Sequence, residues 1–167
     1  MKNLILFSLS LFVIHAYSQT YWQQEVNYTI AVKLNDKDHS LSAFESIEYI
    51  NHSPDQLDKI YIHLWPNAYR NGKTALAKQL YKGGETMLQF GADSLKGGID
   101  SLDFKVNGAT VKWEYDAKNP DISILHLNEP LKSGGKIVIT TPFKVKIPSG
   151  EISRLGHIGQ SYQITQW

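Results

Sequence analysis

Cysteine is absent from all 167 residues of this chain. Disulfide staples, thiolate zinc sites and a cysteine nucleophile are therefore excluded, and the fold must hold through burial. A membrane-spanning run is missing too. The longest apolar stretch, residues 4–14, is interrupted by Ser8 and Ser10 and falls short of the roughly 20 residues that cross a bilayer as a helix. Nor is there an excess of one charge, because 17 Lys and Arg face 16 Asp and Glu. A nucleic-acid partner, which needs clustered cations, is not expected.

What is present begins with an export leader. Met1-Lys2-Asn3 is a short positive start, the apolar run follows, and Ala16-Tyr17-Ser18 puts small residues where a signal peptidase reads. The pattern predicts a signal peptide over 1–18, cut before Gln19, and an exported product that is periplasmic, cell-surface or extracellular. The remaining 149 residues carry 16 basic and 16 acidic side chains, enough chain for one domain over 19–167. No repeat, low-complexity tract or linker divides it.

That domain reads as all-β. Residues 25–34 alternate, with Val26, Tyr28, Ile30, Val32 and Leu34 on one face and Asn27, Thr29 and Lys33 on the other, the period of a half-buried strand. Residues 41–51 and 57–65 follow, divided by Ser53-Pro54-Asp55. Large side chains occupy both faces of 57–65, which predicts a strand that is central or covered on both sides. Residues 66–98 form an excursion too long for a simple loop, with a short helix over 74–82 capped by Thr74 and ended by Gly83-Gly84. Asn107-Gly108 predicts a type I′ hairpin between 100–106 and 109–115. Strands over 122–127 and 136–147 complete a mostly antiparallel curved sheet or sandwich.

Catalytic patterns do not emerge. No His-Glu-x-x-His, no Gly-x-Ser-x-Gly elbow and no phosphate-cradling glycine loop occurs. His39, His52, His63, His126 and His157 are scattered, and His63 reads as a packed, hydrogen-bonded side chain. Glu45 and Glu48 are the one acid pair, but odd spacing on a strand sends them to opposite faces. Asn27-Tyr28-Thr29 and Asn51-His52-Ser53 match the glycosylation pattern, which is common by chance. Neither a catalytic residue nor a metal ligand is assigned.

One block is far more specific. Residues 43–69, AFESIEYINHSPDQLDKIYIHLWPNAY, resemble the amino-terminal domain of the aminopeptidase N family of zinc metallopeptidases (peptidase family M1). Members of one bacterial branch carry a tyrosine and asparagine, then Ser-Pro-Asp, then a strand closing in His-Leu-Trp-Pro-Asn-Ala-Tyr. Pro130-Leu131, Ser133-Gly134-Gly135 and residues 143–148 are similar to a later strand pair of that domain. Arg154-x-Gly156-x-x-Gly159-x-x-Tyr162, running into Gln166-Trp167, resembles the stretch that leads toward the catalytic domain.

The resemblance implies a saddle-shaped β domain that caps a thermolysin-like catalytic domain. That partner domain would hold zinc through His-Glu-x-x-His and a downstream glutamate, grip peptide substrates with Gly-x-Met-x-Asn, and release N-terminal amino acids. None of these motifs occurs in the chain, so no cofactor is expected within it, and the resemblance implies a fragment that stops before the catalytic domain. It also implies a glutamine that helps bind the substrate's free amino group. Gln163 is the first candidate and Gln166 the second, since an amide oxygen can accept from an ammonium. The rival expectation is a stand-alone surface sandwich binding a glycan or protein through Trp22, Trp65, Trp113 and exposed tyrosines.

Overall fold

The structure, a computed structural model, describes residues 21–165. The expected leader and Gln166 lie outside the described residues. In chain order the strands are β1 (Glu25–Asn35), β2 (Ser40–Ile50), β3 (Leu57–His63), β4 (Gly98–Asp100), β5 (Lys105–Val106), β6 (Ala109–Thr110), β7 (Lys112–Tyr115), β8 (Ile122–Leu131), β9 (Lys136–Lys146), β10 (Gly156–Ile158) and β11 (Ser161–Gln163). Helices α1 (Ala75–Lys82) and α2 (Met87–Phe90), with 3₁₀ turns at Trp65–Tyr69 and Asp93–Leu95, fill the long excursion. The chain is thus mostly antiparallel β and sandwich-like, as its alternation predicts, with two helices where the sequence suggests one.

Strands β1-β2-β9-β5-β6 form the larger sheet, with β4 also on β9, and β3-β8-β7 form the smaller. Strand β9 shows why they stack. Ile137, Ile139, Thr141, Phe143 and Val145 are buried, while Lys136, Pro142, Lys144 and Lys146 are exposed, so one face is apolar and one is wet. Pro142 has no N–H to give a ladder. It falls in the gap on β9 between the residues paired with β4 and those paired with β5. Buried Thr141 closes that gap by accepting from the Asp103 N–H at 2.9 Å. Ile60, Leu64 and Leu125 of the smaller sheet and its flank meet Ile47, Ile139 and Phe143 of the larger in one core.

A hairpin leads the chain from one layer to the other. Asn107 and Gly108 have φ of 50° and 80°, the type I′ turn that Asn-Gly predicts. The chain then pairs with β5 in the larger sheet, buries Val111, and continues as β7 in the smaller. Strand β3, by contrast, is an edge and is neither central nor covered on both faces. Its outward Tyr61 and the following Trp65 remain exposed. Their size reflects a surface left open rather than a second layer.

Ala68, Tyr69, Ala77 and Leu88 of the excursion build a second small core with Ile152 and Leu155 from the segment after β9. Thr74 caps α1 as expected. Its Oγ1 accepts from the Ala77 N–H at 3.1 Å and donates to the Ala68 carbonyl at 2.7 Å, which ties the helix to the 3₁₀ turn after β3. Gly84, just past the helix, takes φ of 91°.

Candidate functional site

The residues of the 43–69 block do structural work first. Asn51 and Ser53, in the turn between β2 and β3, are buried polar groups. Asn51 Nδ2 donates to the carbonyls of Asp55 (2.8 Å) and Leu131 (3.1 Å). Its Oδ1 accepts from Ser53 N–H (3.0 Å), Ser53 Oγ (2.7 Å) and Gln24 Nε2 (3.1 Å). Asn67 is the second such anchor, donating to the Pro120 carbonyl at 3.0 Å and accepting from the Ile99 N–H at 3.0 Å. A buried amide can satisfy neighbouring backbone as donor and acceptor at once, which no apolar residue can do. Because Asn51 is fully enclosed, its glycosylation pattern is unreachable in the folded chain.

These anchors fix β2 and β3 on either side of a groove of about 550 Å³. Its floor is the inward register of β1 and β2. There Val26, Tyr28 and Ile30 pair in turn with Tyr49, Ile47 and Glu45, and the same face of β1 runs on past the groove through Val32 and Leu34. Ile62 and Trp65 stand on the opposite wall. No opposing strand reaches β1 among the described residues, and Tyr28, Ile30, Val32 and Leu34 stay between 39% and 61% exposed. Most of the apolar face of β1 thus meets solvent beside a well-packed core, with Val26 alone of that face packed against it, an arrangement that marks interaction surfaces.

Glu45 breaks the apolar floor. It faces inward while Glu48 faces outward to an ion pair with Lys136 at 2.9 Å, so the opposite-face expectation holds. Glu45 has neither a hydrogen bond nor a cation partner among the described residues, and burial pushes its carboxyl above the ordinary range. Burial first, and the Glu45 charge second, push the Tyr28 phenol up as well. The sequence signal is a charged residue on a strand face that otherwise carries Leu41, Ala43, Ile47 and Tyr49.

Gln163 ends β11, opposite Gly156, with its side chain exposed and outside the groove; Thr165, two residues on, reaches the groove wall. The candidate glutamines are therefore not brought onto the apolar floor by the described residues, and Gln166 lies outside them. His63 is exposed and packs on the Trp65 ring, centroids 4.2 Å apart, without the hydrogen bond its strand position suggested. His39 and His157, scattered in sequence, come together with Tyr162. Trp113 packs edge-on against buried Phe104, so it joins the core rather than a platform with Trp22 and Trp65.

No group of three or more potential metal ligands comes together among the described residues, so the zinc of the resemblance has no ligand set in them and no chemical step is routed through it. No described helix is long and apolar enough to cross a membrane. No protein-family model matches the chain, and no curated protein does.

Proposed function

We propose that this chain is the amino-terminal β module of an exported zinc aminopeptidase of the aminopeptidase N family, a lid for a thermolysin-like catalytic domain. The lid would shield the cleft, admit short peptides and help orient their amino termini. Zinc and the peptide-cleaving groups belong to the partner domain, where the metal would polarise the scissile carbonyl and activate water. Gln163 and Gln166 remain the proposed contacts to the substrate amino group, at the end of the module that leads toward that domain.

One observation carries the reading. The block that resembles the family is also the frame of an apolar groove that the described residues leave uncovered, anchored by Asn51, Ser53 and Asn67. A module whose best-specified residues hold open an apolar face is built to be covered by something else. The coding sequence beyond Trp167 tests this. His-Glu-x-x-His within the following few hundred codons is expected; an open reading frame of that length without it would overturn the proposal. The protein itself should not hydrolyse aminoacyl chromogenic substrates, with or without added zinc.

A further inference from the structure

The groove makes a more specific demand on its occupant than apolarity. Its floor and walls contain Val26, Tyr28, Ile30, Tyr49, Ile62 and Trp65, and among the residues that line it there is no lysine or arginine. Glu45 is the one carboxylate there. Filling the groove with a purely apolar segment would strip water from Glu45 and leave its charge unpaired, a costly result. An acidic segment would be worse. A basic side chain brought in with apolar neighbours would instead recover the lost hydration through a charge-assisted hydrogen bond. The rings of Trp65 and the exposed Tyr28 and Tyr61 would favour a planar guanidinium beside them.

We propose that the groove between β1 and β3 seats a segment of a partner polypeptide that carries one arginine or lysine among apolar residues, with Glu45 as its counter-charge. A second copy of this chain is the poorer occupant. A two-fold pairing of the same face would set two grooves without lysine or arginine against each other and bury two like charges. This deepens the lid proposal, in which the partner is the catalytic domain, by stating what that domain must present.

The test titrates the protein with three acetylated, amidated pentapeptides, Val-Tyr-Arg-Ile-Thr and its versions with Gln or Glu for Arg, and follows backbone amide resonances. The Arg peptide is expected to shift Tyr28, Ile30, Glu45 and Tyr49 with an affinity roughly tenfold above the Gln peptide, the scale of one charge-assisted pair, while the Glu peptide leaves them unmoved. Glu45→Gln should bring the Arg and Gln peptides to within about threefold of each other, again on that scale. Glu45→Asp, which keeps the charge on a shorter arm, should retain the preference for Arg. Retained amide dispersion certifies that both variants are folded. Equal shifts with the Arg and Gln peptides in the native protein, shifts confined to other residues, or concentration-dependent shifts of these residues without peptide would each overturn the proposal. The outcome is independent of the downstream coding sequence, so the groove and the aminopeptidase reading can fail separately.

Discussion

The imidazoles of His39 and His157 stack with centroids 3.6 Å apart and planes 13° from parallel. His39 sits at the β1–β2 turn with φ of 49°, and His157 is the middle residue of β10. Tyr162 completes the clamp, its hydroxyl 2.8 Å from His39 Nδ1 and donating to the Asp36 carbonyl at 3.2 Å. Three side chains thus hold the β10–β11 hairpin against the far end of the larger sheet. Tyr162→Phe deletes the hydroxyl alone and should cost about 1 kcal/mol, the value of one or two partly exposed hydrogen bonds. Hydrogen exchange should quicken in β10 and β11 while Ile139 in the core keeps its protection. Uniform acceleration across both regions would show that the hairpin is no separate unit.

Asn51 is the most connected polar side chain described here. Asn51→Ala removes the amide partner of the Leu131 carbonyl and of the Ser53 N–H, and leaves the Ser53 hydroxyl and the Asp55 carbonyl bonded only to each other. Loss of such a buried network should cost on the order of 3 kcal/mol, read from the urea midpoint at unchanged slope. A loss below about 1 kcal/mol, the value of a single ordinary hydrogen bond, would mean that water replaces the amide.

Glu45 should leave a signature in the pH dependence of stability. Its carboxyl is pushed up in the folded chain by burial. The folded state therefore holds its proton more tightly than the unfolded one, and that contribution is complete below the unfolded value. It disappears as pH rises through the raised folded value, so the native protein should lose stability relative to Glu45→Gln from the ordinary carboxylate range toward neutrality. Glu25, Asp93 and Asp116 are shifted downward, first by hydrogen bonds to Asn27, Lys96 and Lys118 respectively, and act in the opposite sense. The difference between the two proteins cancels them. A flat difference across this window would exclude the burial effect.

Two glycines separate backbone strain from crowding. A Cβ at Gly108 would meet nothing within 4 Å, but its φ is +80°; Gly108→Ala should cost about 1 kcal/mol through conformation alone. A Cβ at Gly156 would lie 2.5 Å from the Gly150 backbone, so Gly156→Ala must part the bridge between Ser149 and His157. Its cost should reach about 3 kcal/mol, the upper range for overpacking. Thermal melts of the two variants check the order, and a reversed order would refute this distinction.

Much of this architecture was legible because period-two alternation and turn chemistry act locally. Asn107-Gly108 announces its hairpin, Thr74 its helix, and residues 136–146 their buried face. What escaped is set by tertiary partners. The apolar residues of β1 predict a buried face, yet nothing described covers them, so alternation reports which side is apolar and not whether it is covered. The large outward residues at β3, Tyr61 and Trp65, likewise report size and not cover. Sequence distance hid the contact of His39 with His157, and the fold brings Glu45 into relief where spacing alone offered only a rejected acid pair. The physical reasons for Gly156 and Tyr162, a backbone contact and a hydroxyl clamp, exist only in three dimensions.

The passage of the chain from β6 to β7 through buried Val111 carries a mechanical meaning. A single short stretch is stitched into both layers, so one layer cannot slide over the other without tearing ladder bonds on each side of that stitch. Whatever settles into the groove therefore meets two layers that the backbone already ties to each other.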